Sequence, residues 1–400
     1  MKYQTLAGLA LVALSASCLR AEPTRKMPSE FAKTTASSSE SNEQASEPLV
    51  QLALLLDTSG SMEGLVDQAR YQLWNVVQDL ATANLEDQRI RLEIGVYQYG
   101  TDQVSKKNNC LRQIIPFTEN LDDVSRGLFS LHVSGGDEYC GAAVKSALEN
   151  LSWSEQPGVY RAIFLAGNEY FDQGSITFGE SLPMLKNRRI FVNTIYCGTK
   201  YEGRDQWEKA ASIAGGQASF IDHNHHLPKV ATPYDGKMRE LNREMNETFV
   251  WFGNGAYKAA TNQSRQDRNA DKMSDNAFAA RMSAKIGHLY HHVDHDLVDA
   301  MQRGKAKLGT MPEAKMPTVL QDLSPSDRED YMETMIAKRE SVRRRMADTL
   351  SLRHQFLERE LQKQGTGKVV WGEALRKSIR EQASSLGYRF SESKELAQTP

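Results

Sequence analysis

The sequence predicts an α/β fold in which a doubly wound, mostly parallel sheet is flanked by helices and followed by a helical C-terminal extension. Two observations predict it. Between about residues 48 and 230, short apolar runs typical of buried strands alternate with stretches whose apolar residues recur at helical spacing. From about residue 231, strand candidates give way to long, charged, helical segments. Alternating units of this length are typical of a parallel sheet covered by helices on both faces.

The composition is that of a large folded protein. The chain has 400 residues, of which 40% are hydrophobic and 25% charged, which is enough for a sizeable core. The formal net charge is −2, and no run of Lys and Arg is long enough to follow a phosphate backbone. We therefore expect no nucleic-acid partner.

Residues 1–21 are typical of a bacterial secretion signal. A basic residue precedes a small and apolar stretch from Leu6 to Ala16, which is too short to span a membrane in the mature protein. Cleavage is expected either at Cys18, where "LSASC" resembles the pattern in which a cysteine receives lipid, or near Glu22. The sequence thus predicts a secreted protein of the bacterial periplasm or outer envelope, freely soluble or lipid-anchored.

Residues 22–47 predict a flexible tether. They are rich in Ser, Thr, Glu and Ala and hold few large apolar residues, so this segment cannot bury enough surface to order itself.

Five apolar runs predict the buried strands of a sheet domain at residues 48–230. Helical spacing of apolar residues from Leu65 to Leu80 predicts a helix after the first strand. The strand candidates are "LVQLALLL", "IRLEIGVYQYG", "YRAIFLAG", "RRIFVNTIYCG" and "ASFID". Further helices are expected near 121–130, from Val144 to Leu151, around 182–186, and over about 206–214, the last ended by two glycines.

The C-terminal extension, residues 231–400, contains one long amphipathic helix candidate over about 325–363. Ser324 or Ser326 can cap it, and Pro325 suits a first-turn position. Its apolar stripe steps by four and seven residues. The stripe either packs on its own protein or forms a seam for self-association or for a partner. Its members are Tyr331, Met335, Val342, Met346, Leu350, Leu357 and Leu361.

An aromatic group follows the sheet domain. It comprises Phe249, Trp251, Phe252 and Tyr257. We expect these side chains to join the helical extension to the sheet domain, the alternative being a ligand groove.

The stretch "LLLDTSGSMEG" carries the candidate chemistry. Asp57, Ser59 and Ser61 occupy alternate positions where the first buried strand ends, which is the edge where parallel sheets bind ligands. Gly60 permits a tight turn between the serines. One carboxylate and two hydroxyls aimed at one point suit a hard divalent cation such as Mg²⁺ or Ca²⁺.

The same residues resemble the metal-ion-dependent adhesion site of von Willebrand factor A domains, which opens with Asp-x-Ser-x-Ser. The resemblance covers roughly residues 49–226. "GGDEYCG", "FLAGNEYFDQG" and "VNTIYCG" further resemble a bacterial secreted subgroup of that family. The resemblance to this family implies Mg²⁺, or else Ca²⁺ or Mn²⁺, as the cofactor. It also implies a protein partner that offers a carboxylate.

By this resemblance, Asp137 stands where the family's second loop supplies a Thr. Asn168 stands where the third loop supplies an Asp, and Glu169 lies beside it. The implied metal ligands are therefore Asp57, Ser59, Ser61, Asp137 and Asn168. Two carboxylates would neutralise a divalent ion and weaken its attraction for an outside carboxylate. The alternative is a loop that is purely structural and holds no metal.

The cysteines and histidines allow two further hypotheses. Cys140 and Cys197 are both expected at the rim of the sheet, where a disulfide can join them or each can pack as a buried thiol, whereas Cys110 has no evident partner. His288, His291, His292 and His295 have the spacing of one helical face, which either binds a transition metal or is a polar face with incidental histidines. His223, His225 and His226 are expected in an exposed loop.

The sequence predicts a protein without enzymatic activity. It contains no "GxSxG", no "HExxH" and no phosphate-binding loop. The favoured function is metal-assisted binding of a protein partner in the cell envelope. The alternative is an envelope scaffold that assembles through its C-terminal helices, with a metal loop that serves stability alone.

Overall fold

A computed structural model describes residues 47–198, 203–221, 231–362 and 371–391. The predicted secretion signal, Cys18, nearly all of the predicted tether and the histidines at 223–226 lie outside the described residues. Across the described residues, no helix combines enough length with enough apolar character to cross a bilayer.

Buried strands and helices alternate as predicted. The strands are β1 Leu49–Asp57, β2 Ala83–Leu85, β3 Gln88–Arg89, β4 Arg91–Tyr99, β5 Arg112–Thr118, β6 Tyr160–Gly167, β7 Phe191–Cys197, β8 Ala218–Ile221 and β9 Arg389–Phe390. The helices of the sheet region are α1 Glu63–Leu80, α2 Leu121–Phe129, α3 Cys140–Asn150, α4 Phe178–Asn187 and α5 Arg204–Ile213. Those that follow are α6 Asp235–Asn246, α7 Ala256–Met273, α8 Asp275–Ile286, α9 Leu297–Gln302, α10 Thr318–Gln321, α11 Pro325–Gln362 and α12 Trp371–Ser385.

The central sheet has six strands in the order β5-β4-β1-β6-β7-β8. All neighbours pair in parallel except β4 and β5, which are antiparallel. Because β1 lies between β4 and β6, its last residue, Asp57, reaches the middle of the sheet's carboxyl edge. The predicted mostly parallel sheet is confirmed.

Successive residues of β1 enter two different cores, as the period of a strand requires. Leu54 and Leu56 face one core, to which α1, α2 and α12 contribute. Ala53 and Leu55 face the other, which is closed by α3, α4 and α5. Both faces of the sheet are therefore covered, and its strands are apolar throughout.

The C-terminal part completes one of these faces. Ile379 and Ala383 of α12 are fully buried in the core that contains β1 and α1. Tyr160 of β6 donates a 2.8 Å hydrogen bond to Gln382 Oε1, and β9 adds an antiparallel strand to β2. The described residues from Glu47 onward accordingly form one compact unit.

The long helix lies where the sequence predicts it, as α11. Val342 and Met346, from the middle of its stripe, are buried against α6 and α8. The middle of the stripe therefore packs on its own chain. Of the aromatic group, Phe249 stacks on Trp251 with ring centroids 5.1 Å apart, but Tyr257 is 86% exposed and joins nothing to the sheet.

A buried ion network fastens the helical part to the sheet region. Arg281 of α8 pairs with Asp122 in the first turn of α2 at 2.7 Å and with Asp267 of α7 at 2.6 Å. The Tyr290 hydroxyl donates to Asp122 at 2.8 Å. Burial alone would raise the pKa of Asp122, but Arg281 and His292 hold that pKa well below its usual range.

We expect Arg281→Met to lower the free energy of unfolding by about 3 to 5 kcal/mol, because it removes the arginine that pairs with the buried Asp122 and leaves Asp267 with Lys285 alone. Met keeps most of the side-chain volume, so the loss reports the missing charge. Urea unfolding followed by circular dichroism measures it.

The control is Arg126→Met, which removes an exposed ion pair with Asp123 and should cost at most about 1 kcal/mol. Equal losses in the two variants would show that the buried network contributes no more than a surface pair.

Candidate metal-binding site at the rim of the sheet

The loop after β1 begins with a buried carboxylate. Asp57 is 1% exposed, and its Oδ1 accepts a 2.8 Å hydrogen bond from the backbone N–H of Ser59. The Ser59 hydroxyl donates to Asp57 Oδ2 at 3.2 Å. Thr58 ties the loop to β4, because its N–H donates to the Tyr99 carbonyl at 2.9 Å. The loop is thereby fixed before α1 begins.

Two glycines allow the neighbouring loops to approach this carboxylate. A Cβ on Gly100 would lie 2.5 Å from Asp57 Oδ1 and 3.1 Å from Glu138 Cγ, and Gly100 has a φ of +70°. A Cβ on Gly136 would meet the backbone of Thr101 at 2.6 Å. Glycine at both positions lets the segment before α3 bring Glu138 against Asp57.

The structure does not bring Asp137 to this group. Its carboxylate pairs with Lys106 Nζ at 2.6 Å and accepts from the Tyr139 hydroxyl at 2.8 Å. Both contacts lower the pKa of Asp137. Adjacent side chains in extended backbone point to opposite sides, so Glu138, and not Asp137, faces Asp57. The sequence offered two consecutive acids, and its local pattern could not say which one points inward.

Asn168 does reach the group, directly after β6. Its Nδ2 donates to Ser61 Oγ at 2.9 Å, which links the third loop to the first. Asn168 Oδ1 and Glu138 Oε2 are both buried and have no hydrogen-bond partner within the described part of the chain. A buried polar oxygen without a partner is costly, so a ligand that reached either atom would relieve that cost.

Mutual repulsion among acids shapes the electrostatics of the rim. Burial raises the pKa of Asp57 well above its usual range, and the charges of Glu138 and Glu169 raise it further. Burial and then the charge of Glu169 raise the pKa of Glu138 to about 7. A positive ion at this point would reverse these shifts.

The donors fit a hard divalent cation. Carboxylate, hydroxyl and amide oxygens converge from three loops, and Mg²⁺, Ca²⁺ and Mn²⁺ prefer such ligands. Among the described residues, no cluster of three or more His, Cys, Asp or Glu side chains is arranged to hold a metal. Any ion bound here would therefore depend on Ser59, Ser61 and Asn168 as well as on carboxylates.

The structure contains no disulfide between Cys140 and Cys197, because the two thiols lie in different cores. Cys140 packs in the core closed by α3, α4 and α5, where its Sγ donates to the Tyr99 hydroxyl at 3.7 Å. Cys197 belongs to the core on the opposite face of the sheet. Both are free and buried, as is Cys110, and burial raises the pKa of Cys140 and of Cys197.

The predicted helical face of histidines is wrong, since α8 ends at Ile286 and residues 288–295 form the connection to α9. His292 lies against Asp122 at 3.2 Å, whereas His291 is 3.5 Å from Glu119. Burial and the charge of Arg89 lower the pKa of His288 to about 4. These side chains serve separate contacts and do not converge on one metal.

Comparisons with known proteins agree with this fold. Residues 51–230 match the family model described as von Willebrand factor type A domain, and the match extends from β1 to β8. No curated protein sequence matches the chain.

Part of the chain is similar to two solved structures, proximal thread matrix protein 1 from the mussel byssus and the VWA domain of SpRpn10. The first has 12% sequence identity and a TM-score of 0.32, over 44% of this chain and 42% of that one. The second has 15% identity and a TM-score of 0.33, over 44% of this chain and 88% of that one. The present chain thus spans less than half of the mussel protein.

The raised pKa of Glu138 predicts a pH dependence of stability in the metal-free protein. The carboxyl titrates near 4.5 in the unfolded chain and at about 7 when folded, so between these values the folded state retains a proton that the unfolded chain releases. The contribution of Glu138 to the free energy of unfolding is therefore fully present below pH 4.5 and is lost as pH rises to 7. We expect a loss of about 1 to 3 kcal/mol in urea unfolding with EDTA.

In Glu138→Gln this decline should be smaller by the contribution of Glu138, leaving the part that comes from the burial of Asp57, whereas Asp137→Asn should retain all of it. A decline of the same size in Glu138→Gln would assign the pH dependence to other groups.

Proposed function

We propose that the von Willebrand factor type A domain formed by residues 51–230 is a protein-binding module whose rim holds a divalent cation. Asp57, Ser59, Ser61 and Asn168 would hold the ion, which is Mg²⁺ in the first instance and Ca²⁺ or Mn²⁺ otherwise. A bound cation supplies a positive centre at the exposed edge of the sheet, where a partner's polar group can be attracted. The observation that carries the proposal is that Glu138 Oε2 and Asn168 Oδ1, on two loops of this rim, are buried without a hydrogen-bond partner among the described residues.

The chain's own residues support a binding role over a catalytic one. The Ser59 hydroxyl hydrogen-bonds to the buried Asp57 carboxylate at the end of β1, a placement that suits an oxygen ligand. Cys140 and Cys197 are buried thiols with raised pKa values, which makes them poor nucleophiles. Domains of this family generally serve as interaction modules.

The surface beside the site suits contact with another protein. Tyr170 follows Asn168 and Glu169 and is 48% exposed, and such amphipathic rings are enriched at binding surfaces. The N-terminal sequence supports a cell-envelope location, with the domain secreted and carried on the tether of residues 22–47. We place the partner in the same compartment.

The alternative of a scaffold that assembles through the C-terminal helices has weaker support. The central residues of the α11 stripe, Val342 and Met346, are buried within the same chain. They are therefore not free to form a seam with a second copy.

We expect a divalent cation to stabilise the protein. At a hundredfold excess over its dissociation constant, Mg²⁺ or Mn²⁺ should raise the free energy of unfolding by roughly 3 kcal/mol through mass action. Thermal melts with Mg²⁺ and with EDTA measure the effect. Asp57→Asn should lose most of it, because the substitution removes the central carboxylate.

Asp137→Asn is the matched control and should respond to metal like the parent protein, since Asp137 pairs with Lys106 and Tyr139. If Asp137→Asn loses the metal response and Asp57→Asn keeps it, the proposed ligand set is wrong.

A photo-crosslinking amino acid in place of Tyr170 should capture the partner in intact cells. The adduct should disappear with EDTA and in the Asp57→Asn background, because binding is proposed to need the metal. The same probe at Tyr257, an exposed tyrosine on α7, should not yield that adduct. An adduct that is unchanged by both treatments would show that partner binding does not need the metal.

A further inference from the structure

We infer that Glu138 is an internal ligand of the divalent-cation site and occupies the position that a partner's carboxylate would otherwise take. The inference depends on the proposed function, because it assigns the chemistry of that same site. Its consequence is that an acidic side chain of a partner does not coordinate the ion, so recognition at this rim must use other groups.

The first argument is the placement of Glu138. Its side chain is 9% exposed, and its Oε2 has no hydrogen-bond partner among the described residues. Its Cγ and the Asp57 Oδ1 atom both lie against Gly100. A carboxylate oxygen that is nine-tenths buried beside a second carboxylate needs either a proton or a cation.

The second argument is that the backbone keeps Glu138 in place. Gly136 packs directly on the backbone of Gly100 and Thr101, and the Ser134 N–H donates to the Thr58 carbonyl at 2.9 Å. The Glu138 carbonyl accepts from the Cys140 N–H at 3.1 Å, where α3 begins. The backbone around Glu138 is therefore held on both sides, which fixes the point from which its side chain enters the rim.

The third argument is the charge balance. Asp57 Oδ1 and Glu138 Cγ approach each other across Gly100. Two carboxylates around one divalent ion leave no net charge. An incoming carboxylate would then gain little Coulomb attraction, whereas a site with Asp57 alone would attract it.

Mn²⁺ offers a direct test, since its paramagnetism reports exchangeable water in its coordination shell through the relaxation of water protons. The proteins are the parent chain, Glu138→Gln and Glu138→Thr, with Asp137→Asn as the matched control. Two probes are used, Mn²⁺ alone and then acetate as a simple carboxylate. Titration with Mn²⁺ gives the affinity of each protein for the ion. The relaxation rate of water protons per bound ion gives the number of coordination positions that exchangeable water occupies.

In the parent protein and in Asp137→Asn, we expect tight Mn²⁺ binding and a relaxation enhancement that acetate does not change. Glu138→Gln and Glu138→Thr should bind Mn²⁺ on the order of tenfold more weakly or worse, as expected for the loss of a ligand. In these two variants, each bound ion should enhance the relaxation of water protons more than in the parent protein, because a coordination position has opened to water. Acetate should then reduce this enhancement by occupying that position.

Two outcomes would overturn the inference in distinguishable ways. If acetate reduces the enhancement in the parent protein, or if Glu138→Gln binds Mn²⁺ as tightly as the parent with the same enhancement, Glu138 is not an internal ligand, although the metal site stands. If the parent protein binds no Mn²⁺, the proposed function fails and the inference fails with it.

Discussion

The burial of Asp57 is the constraint on which the rim of this protein depends. Because β1 is the central strand of a parallel sheet, its last carboxylate emerges where loops from both sides cover it. A desolvated carboxylate is unfavourable unless donors or a cation surround it. The backbone N–H and hydroxyl of Ser59 supply donors, but Glu138 adds a second acid instead of a compensating base. That imbalance is the physical reason to place a cation at this point.

The two adjacent acids before α3 have different physical tasks. Asp137 is partly exposed and pairs with Lys106, so it helps to attach the surface loop that carries Lys106. Glu138 is directed inward and meets Asp57. Asp137 thus forms an ion pair that solvent screens, whereas the next residue, Glu138, places a buried acid beside another acid. Only Glu138 is therefore placed to meet a cation at the position that we propose beside Asp57.

The helical C-terminal part is structurally continuous with the sheet. Residues of α12 fill the core beneath β1 and β6, and Arg281 of α8 neutralises Asp122 at the start of α2. The loss of either element would expose one face of the sheet or leave a buried carboxylate unpaired. The extension is therefore part of the folding unit that holds the rim loops in place, and α11 packs on it from the outside through Val342 and Met346.

The sequence by itself determined five of the six strands of the central sheet, most of the helices of the sheet region and the long α11, because those depend on the local period of apolar residues and on nearby caps. It did not predict the antiparallel edge strand β5. It also located Asp57, Ser59, Ser61 and Asn168, which directly follow buried strands. Only the tertiary structure decided that Glu138 faces Asp57, that Cys140 and Cys197 lie on opposite faces of the sheet, and that the histidines near residue 290 do not share a helix. Each of these features depends on contacts between segments far apart in the chain. In such cases the packing of those segments, and not the neighbouring residues in the sequence, sets which way a side chain faces.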